Sequence, residues 1–351
     1  MSPDTLLLAC YEMGHQPLSL ALPAAALRQA GVPVRVIDLS LEPLPRASIA
    51  NAKFVGIAAP MHAALRLGVR AAQEIRRLNP EVHICFYGLY AWLNAEFLLT
   101  TLADSVTAGE LEESLVSLVL AVQRRSHHGE TVEQDFAIQG VSTREHIRPV
   151  RLLRQHFPVP DRSDLPDLAR YSRYLEDGRY GLSGYVEASR GCLHTCRHCP
   201  VVPVYNGRFF VVPLETVLAD IRQQVAAGAE HISFGDPDFL NGPGHALKVA
   251  RALHAEFPKL TFDFTTKVEH ILRHRKRIAE FRLLGASFVV SAFESVSDIV
   301  LRRLHKGHTR ADLDEALAIM KGAGLPVQPT WLPFTPWTSL DDYIDLLTWI
   351  R

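Results

Sequence analysis

Apolar residues in the first 125 positions fall into short β-rich runs: Leu6–Cys10, Val32–Leu39, Phe54–Pro60, Glu81–Gly88 and Ser105–Gly109. Amphipathic stretches of helical period, such as Leu18–Gln29 and Ala63–Leu78, separate them. Strands and helices alternating in this way predict an α/β fold with a parallel, doubly wound sheet. Ligands of such sheets bind beyond the carboxyl ends of the strands. The rhythm fails over residues 126–182, where RRSHHGETVEQ is polar and HFPVPDRSDLPDL is rich in Pro and Asp, so this stretch reads as a linker with short irregular structure. From Tyr185 the alternation resumes. The candidate strands are Tyr185–Ser189, His231–Phe234, Thr261–Thr265, Phe288–Phe293 and Val327–Trp331, with helices such as Leu214–Ala227, Ala246–Phe257 and Arg310–Ala323 between them. Five consecutive βα units predict a barrel or part of one. The last residues, DDYIDLLTWIR, lie inside an apolar helical pattern with no Gly stop signal, so the protein is expected to continue past Arg351. The expected domains are therefore 1–125, a linker over 126–182, and 183–351.

Composition narrows the class. A length of 351 residues suits two or three domains, each with its own core. Lys plus Arg (37) balances Asp plus Glu (38), so neither a nucleic-acid surface nor a membrane surface is indicated. The N-terminal MSPDTLLLACYEMGH lacks a basic n-region and a long apolar run, and no stretch reaches the roughly 18 apolar residues of a membrane span. A cytoplasmic protein is expected.

The five cysteines are unevenly placed. Cys10 and Cys85 sit inside apolar strand-like runs and read as small buried hydrophobes. The other three follow a strand and a Gly turn in EASRGCLHTCRHCP, as C-x3-C-x2-C: Cys192, Cys196 and Cys199. In a reducing compartment such clustering points to a metal rather than to a disulfide. Three thiolates can hold three irons of a [4Fe-4S] cubane and leave the fourth iron open, where it can chelate the amino and carboxylate groups of S-adenosylmethionine (SAM). Zinc is the rival, with His194 or His198 as its fourth ligand, but zinc ribbons use a second separated C-x2-C pair and this chain has none.

This cysteine loop after the first barrel strand resembles the signature of the radical SAM superfamily, over about residues 183–351. The resemblance implies a partial TIM-type barrel, a reductively cleaved SAM and an electron donor such as flavodoxin or ferredoxin. The residue before the third cysteine is usually aromatic in that family and lies near the adenine; here it is His198. SFGDPDFLNG at the second strand matches the turn that meets the SAM amino group, through Gly235, Asp236 and Asp238. DFTTK puts Thr265 and Lys267 at the barrel mouth. VVSAFESVSDIVLRRLHKGHT resembles a run of the cobalamin-type members, in which Ser291 and Glu294 would face the SAM methionine or ribose. Lys306 fits a functional role and a solvated helix end equally well.

The first domain resembles the Rossmann-like cobalamin-binding domain of one large branch of the superfamily. The matching pieces are YEMGHQPLSLALPAAALRQAG, the APMH loop with Met61 and His62, FYGLYA with Gly88 and Tyr90, and ADSVTAGELEESLVSL with Gly109 and Glu110. No D-x-H-x-x-G motif supplies a histidine for cobalt; His15 and His62 are loop histidines. YEMGHQP and GCLHTCRHCPVVPVYNGRF also look like a subgroup carrying a Cys- or selenocysteine-containing tail, one branch of which is linked to arsenical natural products. The resemblance thus implies transfer of an alkyl group to a small-molecule or metalloid acceptor. That group is a methyl through cobalamin, or the 3-amino-3-carboxypropyl group to trivalent arsenic; a non-catalytic cobalamin- or SAM-binding sensor is the alternative of another class.

Overall fold

The structure is a computed structural model and describes residues 4–128, 137–154, 156–176 and 178–351. The chain divides into two compact units, Met1–Ser172 and Arg173–Arg351.

The first unit holds strands β1 (Thr5–Ala9), β2 (Arg35–Asp38), β3 (Phe54–Ala58), β4 (His83–Tyr87), β5 (Ser105–Thr107) and β6 (Val141–Ser142). They form one sheet in the order β2-β1-β3-β4-β5-β6, parallel except for β6. The order reverses direction between β1 and β3, which opens a crevice at the carboxyl ends of those strands. Because helices cover both faces, the central strands are apolar throughout: Leu6, Leu7 and Leu8 are each fully buried. Helix Leu18–Gln29 has Pro17 at its N-cap and no side-chain cap there. Instead Glu12, six residues earlier, accepts from Leu18 N and Ser19 N and satisfies the orphan donors. Helix His62–Leu78 approaches the sheet through Gly68, where a Cβ would lie 3.0 Å from Ile57 Cγ2 and 3.2 Å from Phe86 Cε1.

The second unit holds β7 (Arg173–Glu176), β8 (Arg179–Val186), β9 (Ser189–Gly191), β10 (Phe209–Val211), β11 (His231–Phe234), β12 (Thr261–Thr266), β13 (Ala286–Glu294) and β14 (Val327–Trp331). Its six-stranded sheet runs β14-β13-β12-β11-β8-β7, parallel from β8 to β14, with helices between the parallel strands. This is a curled half-barrel, the expected partial TIM barrel. β9 and β10 form a separate two-stranded ribbon.

Helix Leu18–Gln29 and strands His231–Phe234 and Val327–Trp331 have the ends their patterns predict. The stretch 126–182 is divided between the units. Helix Glu112–His128 runs into it, β6 completes the first sheet, and Phe157, Leu165 and Leu168 are buried, so apolar residues among the prolines anchor the irregular chain. The polar run's residues 129–136 lie outside the described residues. The first barrel strand also begins earlier than expected. Arg179–Leu182 pairs with the antiparallel β7, and the chain leaves the sheet after Val186. Among the described residues no helix is long and apolar enough to cross a membrane.

Phe86 is fully buried in the first unit's core. Phe86→Ala is expected to destabilise that unit by about 3–5 kcal/mol. Native-state hydrogen exchange checks this: amides of β3 and β4 should lose protection while those of β11 and β12 keep theirs.

Candidate functional site

The cysteine loop is rooted by a buried carboxylate. Asp236, just past β11, accepts from Ala188 N (2.9 Å) and Ser189 Oγ (2.5 Å), which draws the chain out of β8 and into β9. Burial raises this carboxyl to about 7, against the lowering effect of those donors. Gly191 then turns at φ +73°, where a Cβ would lie 2.4 Å from Arg208 O, so only glycine fits. Cys192 and Cys196 are buried and Cys199 is half-buried; all three are free thiols. Asn241 reaches back to the loop, accepting from Leu193 N (3.3 Å) and from Cys192 Sγ (3.8 Å). Arg197 N donates to Leu304 O (3.0 Å).

The donor set fits a three-thiolate cluster. Burial pushes the Cys192 and Cys199 thiols up, so each would hold its proton until a metal displaced it. Both loop histidines are engaged on the barrel side. His194 Nδ1 accepts from Lys267 Nζ (3.1 Å) and its Nε2 faces Asp238 Oδ2 at 3.6 Å, while His198 Nε2 donates to Glu294 (3.2 Å). A zinc site with a histidine as fourth ligand is not what this loop builds.

The residues expected against SAM divide by exposure. Gly235 and Thr265 are half-buried at the strand ends, and a Cβ on Gly235 would lie 2.3 Å from the Tyr185 ring. Asp236, Asp238, Lys267, Ser291 and Glu294 are buried and bonded within the protein. Ser291 Oγ donates to Thr266 O (2.8 Å), pinning β13 to β12. Asp238 Oδ1 accepts from Leu240 N, Thr266 Oγ1 and His270 Nδ1. Glu294 stands at φ +65°, a strained position for a side chain this large, and accepts from both His198 Nε2 and Lys306 Nζ at 3.2 Å. Burial alone would raise the Glu294 carboxyl, but His198 and Lys306 outweigh it and hold the group below its ordinary value. Lys306 is 2% exposed, so it is no solvated helix end. Sequence reasoning missed Asn241 and His270; their only signal was proximity to the GDPD and TTK motifs.

In the first unit, Met61, His62, Gly88 and Tyr90 meet at the carboxyl ends of β3 and β4. Tyr90 N donates to Ala59 O (3.0 Å), and the His62 and Tyr90 rings lie edge to face at 6.3 Å. Gly109 and Glu110 differ. Glu110 is fully buried, its N–H donates to Arg151 O (2.9 Å), and the same carbonyl lies 2.5 Å from where a Gly109 Cβ would be, so the chain near Arg151 closes over them. Burial pushes the Cys10 and Cys85 thiols up to about 12, which keeps both inert within the strands.

Half-barrel, cysteine loop and strand-end carboxylates together define a class, and residues 186–347 match the family model of the radical SAM superfamily. Over these residues the chain is similar to that superfamily. Along 93% of its length the chain is 23% identical to a hopanoid C-3 methylase of Methylococcus capsulatus, covering 62% of that protein. A tRNA-2-methylthio-N(6)-dimethylallyladenosine synthase of Bdellovibrio bacteriovorus is 28% identical over 42% of the chain and 33% of its own length. The chain thus spans about three-fifths of the first relative and one-third of the second. Among solved structures, the radical SAM methyltransferase TsrM from Kitasatospora setae, with cobalamin and a [4Fe-4S] cluster bound, superposes on the whole chain with a TM-score of 0.74 and 16% identity, over 70% of its own length. The cobalamin-dependent SAM radical enzyme OxsB gives 0.74 and 17% over 99% of the chain and 51% of its own. At these identities the shared property is the two-unit fold.

Glu294→Gln leaves the buried Lys306 without its counter-charge, and a loss of about 3–5 kcal/mol is expected. Since the folded-state pKa of Glu294 lies below its ordinary 4.5, the carboxylate's contribution is full above that pH and is lost as pH falls through the folded value. Denaturant unfolding of wild type and variant should therefore differ at pH 7 and converge in acid.

Proposed function

We propose that this chain is an enzyme that reductively cleaves SAM and transfers an alkyl group, with methyl transfer through cobalamin as the reading supported best. The observation that carries it is the set of three free thiols on a loop anchored by Asp236 at the mouth of the half-barrel. Cys192, Cys196 and Cys199 would hold the [4Fe-4S] cluster, which supplies the electron that breaks a C–S bond of SAM. Around that site Asn241 fixes the loop backbone, and Glu294 with Lys306 holds His198. Gly235 and Thr265, half-exposed at the strand ends, are left to meet SAM.

For the first unit, Met61, His62, Gly88 and Tyr90 would line the face of the cobalamin, which supplies the methyl group. Glu110, buried beneath the Arg151 backbone, would support that loop rather than touch the cofactor. The likeness to a hopanoid methylase and to two cobalamin-dependent structures supports this assignment; a small molecule or a metalloid would be the acceptor.

Anaerobic reconstitution with iron and sulfide, followed by dithionite, SAM and cobalamin, tests the reading. 5′-Deoxyadenosine is expected, and Cys196→Ala should abolish it. Methylthioadenosine would overturn methyl transfer in favour of 3-amino-3-carboxypropyl transfer, and an intact cluster that leaves SAM uncut would make the chain a sensor.

A further inference from the structure

We propose that Lys267 and Asp238 are positioning residues of the iron–sulfur cluster, a cation and an anion that hold His194 between them and set the potential at which the cluster accepts its electron. This rests on the reading that Cys192, Cys196 and Cys199 hold a cluster.

His194 lies in the loop between the first two cysteines, so whatever fixes its ring fixes the loop. Lys267 Nζ donates to Nδ1 at 3.1 Å, which places the ring proton on Nε2. Nε2 faces Asp238 Oδ2 at 3.6 Å, beyond hydrogen-bond distance, and neither of these buried atoms has a hydrogen-bond partner. Asp238 is immobile: its side chain is 1% exposed, Thr266, Leu240 N and His270 hold Oδ1, and His270 Nδ1 stands 3.0 Å from Oδ2. Lys267 is 9% exposed at its side chain and has Glu269 at 3.4 Å as counter-charge. Donor atoms of His194, Asp238 and His270 all lie within 4.8 Å of one another, a spacing that could take a metal ion. The Lys267 ammonium argues against one. A ligating histidine turns its other nitrogen to an acceptor, whereas here that nitrogen meets a cation. Lys267, His194 and Asp238 instead form a line of cation, ring and anion, joined by a hydrogen bond at Lys267 and by close approach at Asp238.

The charges lie beside the sulfurs' loop: His194 is two residues from both Cys192 and Cys196, and the turn that Asp238 caps carries Asn241, whose Oδ1 stands 3.8 Å from Cys192 Sγ. Cluster potentials follow local charge and hydrogen bonding, because reduction adds an electron that a nearby cation stabilises and a nearby anion opposes.

The full chain, reconstituted anaerobically, is titrated potentiometrically with the EPR signal of the reduced cluster as readout, and iron and sulfide are counted for each variant. Lys267→Met should shift the midpoint to more negative potential and Asp238→Asn to more positive. Lys267→Arg, which keeps the charge, should stay at the wild-type value. Unchanged midpoints, a shift of both neutral variants in one direction as a merely loosened loop would give, or a shift in Lys267→Arg equal to that of Lys267→Met would each overturn the proposal. A wild-type chain that takes up no iron would instead overturn the cluster assignment on which it rests.

Discussion

Three thiols on one eight-residue loop have to be held apart, buried and in register, with no regular secondary structure to hold them. Buried carboxylates at the carboxyl ends of neighbouring barrel strands do this. Asp236 takes the root of the loop through Ala188 N and Ser189 Oγ, Asp238 faces His194 near its start, and Glu294 accepts from His198 near its end. Each buried carboxylate is costly to desolvate and is tolerated only because donors surround it. The loop's own polar groups are among those donors, so the cysteines are placed and the carboxylates are satisfied by the same contacts.

The half-barrel makes this possible because parallel strands end side by side. β11, β12 and β13 deliver Asp236 and Asp238, Lys267, and Glu294 to one rim, and the short helix Val268–Arg273 brings His270 in beside Asp238. Asn241, in the turn that Asp238 caps, reaches the loop backbone from the same side. The strain at Glu294, with its positive φ, is held in place by Lys306 and His198 on its carboxylate and by Leu332 N on its carbonyl. Deeper in the barrel His231, fully buried, bonds Thr261 and Asp263 and stacks on Tyr174 at 3.8 Å, a polar layer that fixes the strands below the site.

The first unit follows the same logic with less charge. Its sheet reverses order between β1 and β3, and the loops after β3 and β4 gather at the carboxyl edge through bonds such as Tyr90 N to Ala59 O. The loop after β5 is closed by the chain near Arg151.

Sequence alone determined the elements whose signals are local. Apolar runs of strand length, helical periods and the cysteine spacing gave the two α/β units, the half-barrel and the cluster loop. They also identified the residues at the strand ends, since an acidic side chain there makes a poor core residue. What each of those residues does was decided by tertiary structure. Asp236 and Asp238 are two positions apart in one motif, yet one binds backbone at the root of the loop and the other faces a histidine within it. Nothing local distinguishes Lys306 on a solvated helix end from Lys306 buried against Glu294, and nothing local brings Arg151 over Glu110. Such pairings join residues far apart in the chain, and only the packing of strands and loops decides which side chain meets which.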